Sequence, residues 1–133
     1  MYLNVKYAKS MIYCGGLVSF GFAIFHILFW RLLDWNSKLV SLTSLNRAVV
    51  QILNICLTYL FFVMSYVSFF YASDMIQTSI GRTLLIAFSL FWFLRLILQI
   101  IFFGLKLNGH LYLTFSFILS CVVYLIPYFA SKP

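Results

Sequence analysis

Four long stretches of this chain are almost free of charge. Met11–Trp30, Ala48–Ala72 and Leu107–Ser131 contain no Lys, Arg, Asp or Glu, and Thr83–Leu105 contains Arg95 alone. A helix crosses the hydrocarbon of a bilayer in about 20 mostly apolar residues. Each stretch meets that length. Barrel strands would instead show about 10 residues of alternating polarity, and that alternation is absent. The sequence therefore predicts an all-α integral membrane protein, with one transmembrane four-helix bundle over 1–133 and short connections.

Composition closes off the other classes. Only 8% of residues are charged, against about 25% in soluble domains. A hydrophobic share of 65% excludes disorder. The net charge of +7 is spread too thinly to make the basic face of a nucleic-acid binder, so nucleic acid is not an expected partner. The cations flank the spans instead. Lys6, Lys9, Arg82 and Lys132 fall on one side of the membrane, and Arg31, Lys38, Arg47 and Lys106 on the other. That even split leaves the positive-inside rule without a vote. The adopted orientation is both termini inside, in a plasma or inner membrane. The first span resembles a signal peptide but is too long and too aromatic, with no small-x-small site after it. It is expected to remain as an anchor.

The longest connection, Arg31 to Arg47, is rich in Leu, Val and Trp. It reads either as an amphipathic interfacial segment or as a partly buried loop. Ser73–Arg82 and Gly104–Gly109 read as short links that make neighbouring helices antiparallel. Cys14, Cys56 and Cys121 lie within spans without a C-x-x-C pair. Thiol oxidoreductase chemistry needs paired cysteines, and zinc needs clustered ligands. Packing is the expected role of all three.

Each span carries small or polar residues at spacings of three and four, which places them on one face. The sets are Gly15, Ser19, Ala23 and His26; Arg47, Gln51, Asn54, Thr58, Ser65 and Ser68; Trp92, Arg95 and Gln99; and His110, Thr114, Phe117, Cys121, Tyr124 and Tyr128. Membrane helices meet through such faces. The ladder Gly15, Ser19, Ala23 suits close packing inside the bundle, with a homo-oligomer or a membrane-complex partner as the alternative.

Depth separates these residues. His26, Gln51, Asn54, Arg95, Gln99, His110 and Thr114 all fall in the half of the membrane nearest the first and third connections. At 1.5 Å rise per residue, Arg95 lies about 15 Å deep. A charge there costs about 2.5–3.5 kcal/mol on insertion scales and pairs with something. No span contains Asp or Glu. The expected partners are Asp34 folded inward, the amides Gln51 and Asn54, or an external anion. Trp92, one turn away, is placed to stack on the guanidinium.

The expected site is thus a cationic polar pocket for an anionic or amphipathic ligand such as a lipid headgroup. Its residues are Arg95, Gln99, Gln51, Asn54, His26, Arg47, Trp92, His110 and Thr114. One alternative is a structural or accessory subunit whose polar cluster only locks helices. Another is an enzyme or electron carrier. His26 and His110 could ligate haem between facing helices. No other cofactor or metal is expected.

The sets F-H-x-x-F-W (Phe25–Trp30), N-R-x-x-x-Q-x-x-N (Asn46–Asn54) and F-W-x-x-R-x-x-x-Q (Phe91–Gln99) read as signatures. The chain resembles small multidrug transporters in size and span number, without their carboxylate in the first helix. It resembles membrane glutathione transferases in size, span number and the pair Arg47 and Asn54, a similarity confined to 47–54 and lacking that family's accompanying Glu. That resemblance implies a glutathione-transferase-like enzyme. Against catalysis, no intramembrane carboxylate is present to orient a histidine base.

Overall fold

The computed structural model describes residues 5–104 and 111–130. Among them every regular element is helical. Four helices are long and apolar enough to cross a membrane: α1 (Val5–Ile27), α4 (Ser44–Phe70), α6 (Ser79–Phe103) and α7 (Leu111–Ala130). The chain is a multi-pass membrane protein. Leu17, Tyr59, Phe102, Phe115 and Phe129 all stand on the outer surface, an exposure that a bilayer favours and water does not.

The helix ends depart from the apolar windows. The first helix begins at Val5 rather than at Met11, because Lys6 and Lys9 can extend a helix while their heads stay in water. It ends at Ile27 instead of Trp30, and Phe29–Leu32 forms a separate turn, α2. Asp34 then adopts the left-handed conformation, φ 49°, and reverses the chain into α3 (Trp35–Lys38) and a 3-10 turn (Leu39–Ser41). This connection is folded, with Trp35 and Leu39 buried. Thr43 caps α4 by accepting from the Asn46 amide at 3.3 Å. The second connection is not a plain link either. It holds α5 (Ala72–Gln77), and Thr78 caps α6 by accepting from the Gly81 amide at 3.0 Å. A Cβ on Gly81 would collide with the Asp74 carbonyl oxygen, so only glycine lets α5 lie this close to α6.

The spans pair as two hairpins, α1 with α4 and α6 with α7, and α1 packs on α7 between them. The small-residue ladder of α1 is used inside the chain. A Cβ on Gly15 would stand 2.5 Å from the Tyr124 ring. The Tyr124 hydroxyl meets Ser68 Oγ of α4 at 2.8 Å, so α7 reaches α4 across the groove that Gly15 leaves.

One aromatic residue from each span fills the centre: Phe22, Phe61, Trp92 and Phe117. Phe22 lies 5.8, 5.1 and 5.3 Å from the other three rings. Trp92 stacks on Phe61 at 5.4 Å and on Phe117 at 5.8 Å. Contact between α4 and α6 runs through Phe61, Phe91 and Trp92. This aromatic layer divides the interior into two polar halves.

Candidate functional site

In the half toward α5 the buried serines and Tyr124 find partners within the bundle, while Arg82 Nε is buried without a hydrogen-bond partner among the described residues. Ser68 Oγ donates to the Met64 carbonyl at 2.7 Å and accepts from Tyr124. Ser89 Oγ donates to the Cys121 carbonyl at 3.1 Å, and Ser19 Oγ to the Gly15 carbonyl at 2.8 Å. Hydroxyls are short and turn to suit a neighbour, so helix carbonyls can absorb them.

The other half is built differently. His26 lies in the last turn of α1, where helix carbonyls lack intrahelical partners. Asn54 of α4 answers that turn with its whole amide. Its Nδ2 donates to the His26 carbonyl at 3.0 Å, and its Oδ1 faces His26 Nδ1 at 2.8 Å. The first bond fixes which end of the amide is oxygen. That oxygen only accepts, so the imidazole Nδ1 carries the proton. In the neutral ring, Nε2 is left with a free lone pair. Phe29 stacks on the ring at 4.3 Å.

Arg95 and Gln99 sit one turn apart on α6, on one face. The Arg95 guanidinium carbon lies 4.9 Å from the Phe117 ring centre. That cation–π contact replaces the expected one with Trp92. Trp92 is fully buried in the aromatic layer beneath, with its indole N–H unpartnered among the described residues. Asp34 does not reach Arg95. It is exposed, and Ser37 Oγ donates to its carboxylate. Among the described residues Arg95 has no carboxylate partner. Gln99 is 0% exposed, and neither its amide oxygen nor its amide nitrogen has a partner among the described residues.

His26, Arg95 and Gln99 line one cavity of about 390 Å³, within the usual range for small-molecule sites of about 300–1,000 Å³. The rings of Phe22, Phe25, Phe29, Phe61, Phe103 and Phe117, with Leu33 and Leu113, form the rest of its wall. Asn54 backs His26 and borders a different hollow beside Tyr59 and Phe62. The remaining sequence candidates stand elsewhere. Arg47 Nε and Nη2 donate to the Leu39 and Val40 carbonyls at 3.0 and 3.1 Å, which pins the 3-10 turn. Gln51 is half-buried on α4 and outside the cavity wall. Thr114 is buried on α7 and borders an outer groove with Tyr112 and Phe115. His110, the second histidine of the haem expectation, lies outside the described residues.

Sequence reasoning passed over the phenylalanines. Phe22, Phe25 and Phe29 stand at −4, −1 and +3 from His26, which puts them around it on a helix. In a chain that is 21% aromatic, that spacing alone carries little signal.

No protein-family model matches the chain, and neither a curated protein nor a solved structure is similar to it. The functional reading therefore rests on the cavity. It offers a cation and an amide on one wall and aromatic surface on the others, a combination suited to a charged head with an apolar body.

Proposed function

We propose that this membrane protein binds an anionic amphiphile in the cavity between α1, α6 and α7. Arg95 takes the anionic head, Gln99 adds an amide hydrogen bond, and the phenylalanine wall takes the apolar tail. The carrying observation is that, among the described residues, Arg95 has no carboxylate against it and the fully buried Gln99 one turn away has no partner. A buried polar group without a partner costs about 1–3 kcal/mol, and an intramembrane cation costs more. An anion that enters from the bilayer relieves both.

The test uses the full chain in nanodiscs with dodecanoate as probe and acetate as the tail-less control. Dodecanoate is expected to bind and acetate to bind far more weakly. Arg95→Gln keeps a polar side chain of similar reach and removes the charge. Loss of a charge-assisted contact worth about 1.5–3 kcal/mol weakens dodecanoate binding about 10- to 100-fold. Equal binding by wild type and Arg95→Gln overturns the proposal.

A second reading has its own observation. The pair of hydrogen bonds between Asn54 and His26 ties α1 to α4 without any ligand. If Arg95 and Gln99 only extend that lock, Arg95→Gln destabilises the bundle or its assembly, and wild type binds no amphiphile.

A further inference from the structure

The geometry points to a ligand that carries a hydroxyl or N–H next to its anionic group, with His26 Nε2 and the Gln99 carbonyl as the groups that read it. This rests on the amphiphile reading above and narrows its chemistry.

Arg95 has five N–H donors and no acceptor, so it specifies the anion. Gln99 presents both a carbonyl oxygen and an NH2, and both are unpartnered among the described residues. The NH2 can share the anion with Arg95, but the oxygen needs a donor. Turning the amide over changes which atom points where, not the need. His26 adds a second demand. Asn54 spends its nitrogen on the His26 carbonyl and its oxygen on Nδ1–H, so the remaining ring nitrogen accepts. His26, Arg95 and Gln99 all belong to the cavity wall, with the Gln99 amide packed behind its surface, so a ligand meets that amide once the side chain turns inward. A plain carboxylate supplies acceptors only and leaves the Gln99 oxygen and His26 Nε2 unmatched. A 2-hydroxy acid, or a headgroup with a hydroxyl beside its phosphate, supplies one donor and so satisfies one of the two acceptors, which a plain carboxylate cannot do. Asn54 is the positioning residue, since it sets the tautomer without lining this cavity.

Competition between dodecanoate and 2-hydroxydodecanoate at pH 8 tests this. The tail and the anion are the same, and one hydroxyl differs. Native mass spectrometry of the full chain, loaded with equal concentrations, counts each bound species. The hydroxy acid is expected to dominate about tenfold, the size of one well-made hydrogen bond at about 1.4 kcal/mol. In His26→Phe the ratio of bound hydroxy acid to bound dodecanoate is expected to fall, and an unchanged ratio overturns the role given to His26. Equal occupancy in wild type overturns the inference and leaves the amphiphile reading standing. Binding of neither acid overturns both. Nitrogen-15 NMR of labelled histidine gives an independent reading on the wild-type protein. It is expected to show the proton on Nδ1 of His26, and a proton on Nε2 overturns the inference.

Discussion

At the scale of single residues, His26 and Arg95 reach the same cavity on different terms. His26 arrives with a partner: Asn54 satisfies both its carbonyl and its ring nitrogen. Arg95 arrives, among the described residues, with the aromatic face of Phe117 and no carboxylate. Asn54→Leu keeps the side-chain size and deletes both bonds to His26. It is expected to cost about 1–2 kcal/mol, the upper part of the range for interhelical polar contacts in membranes. Denaturant titration of the bundle measures that loss, and an unchanged midpoint would show the pair to be energetically idle. The sequence made Arg95 conspicuous, since depth and the lack of an intramembrane acid can be counted along the chain. It also grouped Gln99 with Arg95 through the spacing of four. Asp34 is one partner the sequence predicts, because it is on the correct side. Its left-handed backbone and the Ser37 hydroxyl turn it outward instead, a local preference that overrides long-range attraction. Phe117 was assigned to a polar stripe, and nothing in the sequence distinguished it as the seat of the guanidinium.

At the scale of elements, apolar windows measure hydrocarbon thickness and not helix length. That is why Val5–Ser10 joins α1 and why Ala72–Gln77 is helical although it was expected to be a link. Caps and close contacts set the true ends. Gly81→Ala tests one of them. Its Cβ would strike the Asp74 carbonyl, which belongs to backbone and cannot rotate away. Overpacking of this kind costs about 1–3 kcal/mol. The expected result is a lower melting temperature with separation of α5 from α6. Hydrogen exchange at 72–81 would report that separation as faster exchange, and unaltered exchange would refute it. The polar stripes of α1 and α7 were legible from spacing, and Ser19, His26, Thr114 and Tyr124 are all buried. The stripe of α4 was legible less well, because Arg47 leaves it to pin the 3-10 turn.

At the scale of the whole molecule, the aromatic layer joins the two hairpins. Phe22, Phe61, Trp92 and Phe117 each come from a different span, so no single helix can form the layer. Trp92→Ala removes the ring that stacks on two of the others and is expected to cost about 3–5 kcal/mol. Near-UV circular dichroism should lose aromatic signal while far-UV helicity persists. A full retention of both would show that α6 is held by other contacts. The same layer forms the floor of the cavity, through Phe22, Phe61 and Phe117. Trp92→Ala should therefore weaken amphiphile binding as well as stability.

The sequence by itself determined the membrane setting, the number of spans and, on α1, α6 and α7, the face turned inward. Hydrocarbon enforces those properties one helix at a time: a backbone in lipid that is not closed into a barrel must be helical, and a polar side chain must turn away from the tails. The tertiary structure alone decided which polar groups have partners. Partnership depends on the rotation and register of one helix against another, and those are set by close approaches such as Gly15 beneath Tyr124. Through them the serines and tyrosine of one half satisfy each other, and Asn54 meets His26. Arg95 and Gln99 come to face a cavity, not a carboxylate.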